Sequence, residues 1–386
     1  VSLFKNKIVW IFSQQNWNGL KVSKHHYAET LADAGAKVYY FNPPQDSGWK
    51  IKKVKLTIDN SSNVNVVSQQ FFFPINLKFH FRFLYNQLIK IQLKILRKNL
   101  PSPDFVWSFD LSNNFPLFNF SNSYNIFHPV DEPLNKTALN AYKGANLILS
   151  VTDEILSKYP NSLTKHLINH GLHQAFITNY SPKEINEFIS VGMSGNWLRQ
   201  DLDRNTIKEI IVNHSSINFE CWGNIDYDEK SIDSDSIEFI QFLINQVNVK
   251  LHGIVNATEL AIAYQQMDAF LICYDIQKDQ SKGTNYHKVI EFLSTGRVVI
   301  SNNISFYENK ELLEMSNSRA NNAEIKILFD KIINNILLYN SIDKHNFRRE
   351  FALSNTYIEL LSKIENIINN NIQPCFKLNI ENIREF

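Results

Sequence analysis

Residues 281–303 read SKGTNYHKVIEFLSTGRVVISNN, and this stretch constrains the fold more than any other. A polar loop (281–286) leads into a short helix predicted over 287–294. Val289, Ile290, Phe292 and Leu293 give that helix an apolar stripe, and Gly296 stands just past its end. Val298, Val299 and Ile300 then form a short apolar run of the kind buried on both faces of a parallel sheet. Free backbone N–H groups at a helix N-terminus bind phosphate. Glu291 lies one turn into the helix. A carboxylate there can accept both hydroxyls of a ribose, because each of its oxygens has two lone pairs.

The same alternation of strand, loop and helix recurs along the chain. Residues 7–13 are a predicted buried strand, followed by a polar loop with Asn16, Trp17 and Gly19, a helix over 24–34 ended by Gly35, and a strand over 37–42 stopped by Pro43 and Pro44. This is a βαβ unit with a right-handed crossover expected. It lacks G-x-G-x-x-G, so it gives no reason to expect a nicotinamide or flavin cofactor. Further strands are predicted over 104–109, ending in Asp110, and over 124–127, which runs into His128, Asp131 and Glu132. Ligands of open α/β sheets bind at the carboxyl ends of strands, so these side chains stand where chemistry is expected. Residues 145–151 and 165–169 complete this half. His166, His170 and His173 straddle a strand and a turn rather than one helix face, and no metal site is expected from them.

The second half repeats the theme. A strand over 188–191 feeds a loop containing Gly192, Gly195 and Arg199, then a helix over 205–213. Strands over 218–223, 247–253 and 268–274 follow, with a helix over 257–266, before residues 281–303. Residues 347–368 are predicted as one helix, and residues 180–183 (YSPK) as the linker between halves.

With 386 residues, two domains are expected. A net charge of +1 gives no global pull toward nucleic acid. Cys221, Cys273 and Cys375 are far apart and show no C-x-x-C spacing, which suggests a reducing compartment. No signal-type region opens the chain and no run reaches about 18 apolar residues, so a cytoplasmic protein is expected. Residues 60–103 contain no acidic residue, while residues 78–98 carry Lys78, Arg82, Lys90, Lys94, Arg97 and Lys98 among Phe79, Phe81, Phe83, Leu84, Leu88, Ile91 and Ile95. Leu84, Leu88, Ile91 and Ile95 recur at helical spacing. Two readings stand: a peripheral element on an anionic membrane surface, or a core-packing helix with a solvated basic face.

The segment KVIEFLSTGRVVI (288–300) resembles the K-x-x-E-[YF]-[LM]-A-x-G-x-P-V-[VI] signature of GT-B glycosyltransferases of the family 4-like, nucleotide-sugar-dependent group. Two positions depart from it. The usual Pro of the strand is missing, and Gly283 stands where many of these enzymes carry a second Glu. The order of the surrounding elements is similar to the family over roughly residues 5–360. The resemblance implies two doubly wound Rossmann-like domains facing a cleft, here 1–178 on the acceptor side and 179–355 for the nucleotide sugar, with residues 356–386 packing back on the first domain. It implies a retaining transfer of a hexose from a UDP- or GDP-sugar to a glycan, lipid-linked or other cell-surface polysaccharide acceptor, without a metal or other cofactor. By the same resemblance Gly19, Gly192, Arg199, Tyr274, Asn285, Tyr286, Lys288 and Glu291 would bind the donor, and His128 and Asp131 would stand at the reacting centre. Arg199 and Lys288 would face the diphosphate. A nucleotide-sugar epimerase, or a binding subunit that has lost catalysis, are the alternatives.

Overall fold

The computed structural model describes residues 3–19, 21–46, 49–50, 54–177, 188–226 and 232–381, with side chains to 371. The expected linker over 180–183 lies outside the described residues. The chain divides into two compact units, one made of 1–169 and 357–386 and the other of 170–356.

The first unit is built on an eight-stranded sheet in the order Lys165–Leu167, Leu147–Ser150, Tyr124–Phe127, Phe105–Ser108, Ile8–Phe12, Lys37–Phe41, Val64–Ser68, Lys55–Asp59. The pairings are parallel except the last, where Lys55–Asp59 runs antiparallel to Val64–Ser68. Side chains on a strand alternate between faces, and the two faces carry separate cores. Val9, Ile11, Val38, Tyr40 and Trp107 pack on one side, while Trp10, Phe12, Tyr39, Phe41 and Val106 pack on the other. The first face is covered by the helix Ser23–Asp33 and by the last helix, Tyr357–Glu381, which contributes Tyr357, Leu360, Leu361, Ile364 and Ile368. The second is covered by the helix Arg82–Asn99.

That helix settles in a different register from the sequence pattern. The side chains that bury are Tyr85, Ile89, Gln92, Leu93 and Leu96, not the stripe through Leu84 and Ile91. Polar anchoring explains the choice: the Tyr85 hydroxyl donates to the Asn114 carbonyl at 2.9 Å, and the Gln92 amide donates to the Gln70 carbonyl. Lys78, in the preceding short helix Leu77–His80, is also buried, and its Nζ donates to the Ser112 carbonyl and to Asn114 Oδ1 at 2.8 Å.

The second unit holds a six-stranded parallel sheet in the order Val249–Gly253, Asn218–Trp222, Ser190–Ser194, Ala269–Ile272, Val298–Ser301, Glu314–Met315. In each sheet the order of connection reverses next to the first strand of the unit. In the first unit this lies between Ile8–Phe12 and Phe105–Ser108, and in the second between Ser190–Ser194 and Ala269–Ile272. A crevice forms there, outside the carboxyl ends of the strands, and it is where doubly wound sheets bind ligands.

The helix expected over 347–368 is two helices, Ile342–Leu353 and Tyr357–Glu381. The turn between them is held by backbone bonding: Leu172 N–H donates to the Asn355 carbonyl at 2.8 Å, and Leu172 bridges to Thr356. The chain passes from one unit to the other at that point.

Candidate functional site

In the second unit the loops at the crevice are 195–203, after the first strand, and 273–287, before the helix Lys288–Ser294. Gly192 lies inside the strand Ser190–Ser194 rather than in the loop. A Cβ on it would meet the Phe270 ring at 2.7 Å, so its smallness serves packing. The glycine at the mouth of the loop is Gly195, where a Cβ would come within 2.7 Å of Lys288 Nζ. Lys288 therefore reaches the backbone of the first loop, and its ammonium donates to the Ser194 carbonyl and to the Tyr274 hydroxyl. An ammonium has three N–H donors, so one is left for a ligand.

Tyr274 is the piece on which the site closes. Its ring lies 4.9 Å from Lys288 Nζ, 5.2 Å from the Arg199 guanidinium carbon and 4.8 Å from the Tyr286 ring. Arg199 is gripped by Asp201 through two hydrogen bonds and stands 3.6 Å from Asp279. The Asp201 bond, above all, keeps the guanidinium charged against the pull of burial. Both cations of the expected clamp thus meet at one tyrosine.

Asp279 is 1% exposed and accepts from Ser281 N–H, Ser281 Oγ, Gly283 N–H at 3.0 Å and the Tyr286 hydroxyl at 2.7 Å. Burial pushes its pKa up, but the bonds from Ser281, Tyr286 and Gly283 outweigh burial and hold it below the usual value. Gly283 itself has φ +62°, a conformation in which a glutamate would be strained. The carboxylate of this loop is supplied four residues earlier, by Asp279. Its signal in the sequence is Asp279 followed by Ser281 and Gly283, an Asx-type turn, which pattern reading passed over. Asn285 and Tyr286 are buried within the same loop.

Glu291 points from the first turn of its helix, with Oε1 3.4 Å from His287 Nδ1. Burial raises its pKa to about 8, with Lys288 pulling in the opposite direction. The hollow between Gly195, Tyr274 and Lys288 is about 20 Å³. A larger cavity of about 730 Å³ opens beside it, lined among others by Arg204, Lys208, Lys278, Asp233 and Glu238. There Arg204 pairs with Asp233, Lys208 with Glu238 and Lys278 with Asp275, while Arg319 donates to Asn303 and the Lys282 carbonyl, so these cations already have protein partners.

In the first unit, His128 follows the strand Tyr124–Phe127 and is 1% exposed. Its ring stacks on Phe109 and Trp107, and Trp107 Nε1 donates to its Nδ1 at 3.3 Å. Nδ1 is therefore an acceptor, the ring proton lies on Nε2, and Nε2 has no partner among the described residues. Burial first and Lys24 second push the pKa of His128 down to about 3, so the ring is neutral at ordinary pH and acts as a donor. Asp131 is exposed. Lys24, a residue the sequence reading did not single out, lies 2% exposed in the first turn of Ser23–Asp33. Burial lowers its pKa, while Asp131 and Asp110 raise it. Gly19 is exposed, and its N–H donates to the Asn16 carbonyl within the first loop.

No protein-family model matches the chain, and no curated protein sequence does. Solved structures do. Two Rossmann-like units with crevices of this kind define the GT-B fold, and the chain has that fold. It is similar to sucrose-phosphate synthase from Thermosynechococcus elongatus, with a TM-score of 0.65, 12% identity, and coverage of 95% of this chain and 100% of that one. It is similar to HepE of Anabaena, solved in complex with UDP and glucose, with a TM-score of 0.66, 12% identity, and coverage of 94% and 99%. A glycosyltransferase from Rickettsia africae gives a TM-score of 0.65 at 12% identity, with coverage of 95% and 99%.

Proposed function

We propose that this chain is a glycosyltransferase that moves a hexose from a UDP- or GDP-sugar to a glycan, lipid-linked or other cell-surface polysaccharide acceptor, with retention at the anomeric carbon. The observation that carries the reading is the start of the helix Lys288–Ser294. A partly free ammonium and a half-buried carboxyl stand one turn apart there, at the switch point of a parallel sheet. The UDP held by the HepE structure supports a nucleotide donor.

In this reading Glu291 receives the ribose hydroxyls. Lys288 donates its remaining N–H to the diphosphate, and Arg199, with Tyr274, adds positive charge beside it. As the sugar–phosphate bond breaks, negative charge grows on the diphosphate and positive charge on the sugar ring. Fixed cations meet the first of these, so no metal is needed. His128, a neutral donor through Nε2, bonds a sugar or phosphate oxygen, and the Asp131 carboxylate stabilises positive charge on the acceptor side. Asn285 and Tyr286 shape the donor loop, and Gly19 gives the first loop its turn. The enzyme works in the cytoplasm, at the inner face of the membrane that carries its acceptor.

The test is a screen of nucleotide sugars by thermal shift, followed by an assay of acceptor-dependent nucleotide release with and without EDTA. Stabilisation by one donor and EDTA-resistant release support the reading. Release of nucleotide without an acceptor points to an epimerase or hydrolase. Failure to bind any nucleotide sugar overturns it.

A further inference from the structure

The helix Arg82–Asn99 carries two apolar stripes, and the core of its unit takes one of them and, from the other, only Leu88 at its edge. Tyr85, Ile89, Leu93 and Leu96 bury, while Leu84 and Ile91 are 44% and 47% exposed, with Leu88 and Ile95 half-buried beside them. At about 100° per residue the second stripe lies roughly 110° around the helix from the first. Its outer border is Lys90, Lys94 and Lys98, all exposed and with no ion pair among the described residues. Phe79 and Phe81 stand before the start of this helix and Phe83 heads the lysine row, and the three are 60%, 63% and 79% exposed. Three neighbouring phenylalanines in water are an unusual surface for a soluble unit.

We propose that this face docks on an anionic lipid surface, with Phe79, Phe81 and Phe83 entering the headgroup–acyl boundary and the lysine row resting on the headgroups. Charge chooses the occupant. Residues 60–103 hold no carboxylate, so nothing in the segment repels an anionic bilayer. A row of lysines beside an apolar stripe is the arrangement by which interfacial helices combine electrostatic attraction with shallow burial. Among the described residues no helix is long and apolar enough to cross a membrane, so the contact is with its surface. The buried Lys78 is tied to Ser112 and Asn114 and takes no part. The proposal rests on the reading of the chain as an enzyme of membrane-borne acceptors, but its chemistry is independent of turnover.

The experiment uses the whole chain and sedimentation with vesicles of phosphatidylcholine alone or of equimolar phosphatidylcholine and phosphatidylglycerol. Binding is expected to the mixed vesicles only, and to weaken with salt. The triple change Phe79→Ser, Phe81→Ser and Phe83→Ser is expected to lower it at least about tenfold. Reversal of Lys90, Lys94 and Lys98 to Glu is expected to abolish it. UDP affinity and melting temperature, measured in parallel, should stay unchanged in both variants. Loss of nucleotide binding in the parent chain would undermine the enzymatic reading and leave the docking result standing. Equal binding to both vesicle types, or parental binding by the phenylalanine variant, overturns the proposal. So does a dimer in solution that the phenylalanine variant dissolves, because the face then belongs to a second copy.

Discussion

Nζ of Lys288 lies 2.6 Å from the hydroxyl oxygen of Tyr274. The lysine is thereby fixed before any ligand arrives, since its other bond goes to the Ser194 carbonyl. A cation already in position needs no reorganisation when charge develops in front of it. Tyr274→Phe should therefore keep the charge but release the aim. Turnover should fall about threefold to tenfold, near 1 kcal/mol for one hydrogen bond. Lys288→Ala should cost more than about tenfold, or about 1.4 kcal/mol. Steady-state nucleotide release on the two variants checks the order, and equal losses would remove the aiming role.

The ribose contact proposed for Glu291 makes nucleotide binding depend on pH. Its folded pKa of about 8 is above the ordinary 4.5. A raised pKa means that the folded state holds the proton more tightly, so its contribution to stability is full below pH 4.5 and is lost as pH rises toward 8. Glu291→Gln cannot ionise and should flatten that part of the melting-temperature profile. A carboxylate accepting ribose hydroxyls must be ionised, so UDP affinity should rise with pH up to about 8 in the parent chain and not in the Gln variant. Calorimetry in buffers of different ionisation heat should show proton release on binding.

His128 gives a different pH signature. With its pKa near 3, its ionisation is complete well below the range of an assay. His128→Ala should cut kcat more than donor affinity, by at least about tenfold, because the contact proposed for it belongs to the transition state. His128→Gln, which keeps an N–H donor, should recover part of the loss. The acid limb of the parent pH profile should stay where it is in the Gln variant, and a shifted limb would mean that the ring works as a base. Asp131→Asn should likewise lower kcat more than donor affinity.

Asp279 holds the loop 273–287 together from inside. Asp279→Asn keeps the shape but replaces acceptor oxygen by a donor where four groups donate. The expected loss is roughly 1–3 kcal/mol of stability, with weaker nucleotide binding. Because the folded pKa is depressed, the stabilisation is present above the ordinary 3.8 and disappears as pH falls through the folded value. Acid unfolding of parent and variant should converge.

Most of the parallel strands were legible because they are apolar runs of four or five residues that the sheet buries on both faces, as IVWIF over Ile8–Phe12 shows, whereas Val64–Ser68 and the two-residue Glu314–Met315 were not read from the sequence. The place of Lys288 and Glu291 in the first turn of a helix was legible because a polar loop runs there into an apolar stripe closed by Gly296. Other features were decided by contacts that no local pattern carries. Lys55–Asp59 is an exposed edge strand without an apolar run. The helix Arg82–Asn99 had two candidate stripes, and the partners of Tyr85 and Gln92 chose between them. Lys24 and Asp279 became visible only when folding buried them, since a lone lysine or aspartate in the sequence reads as a surface residue. Gly192 and Gly195 look alike in sequence and differ in whether the Phe270 ring or the Lys288 ammonium approaches them.

The last helix has a consequence for how the molecule is made. Residues 170–356 form a unit from one unbroken run of chain, whereas the first unit needs residues 357–386 as well. On a ribosome the strands of the first unit emerge early, yet the part of the sheet face that receives Leu360, Leu361, Ile364 and Ile368 stays uncovered until the helix Tyr357–Glu381 has been made. The unit that starts first is finished last. A chain truncated after residue 356 should therefore show the later-made unit protease-resistant while the earlier one, lacking its last covering helix, is open to cleavage.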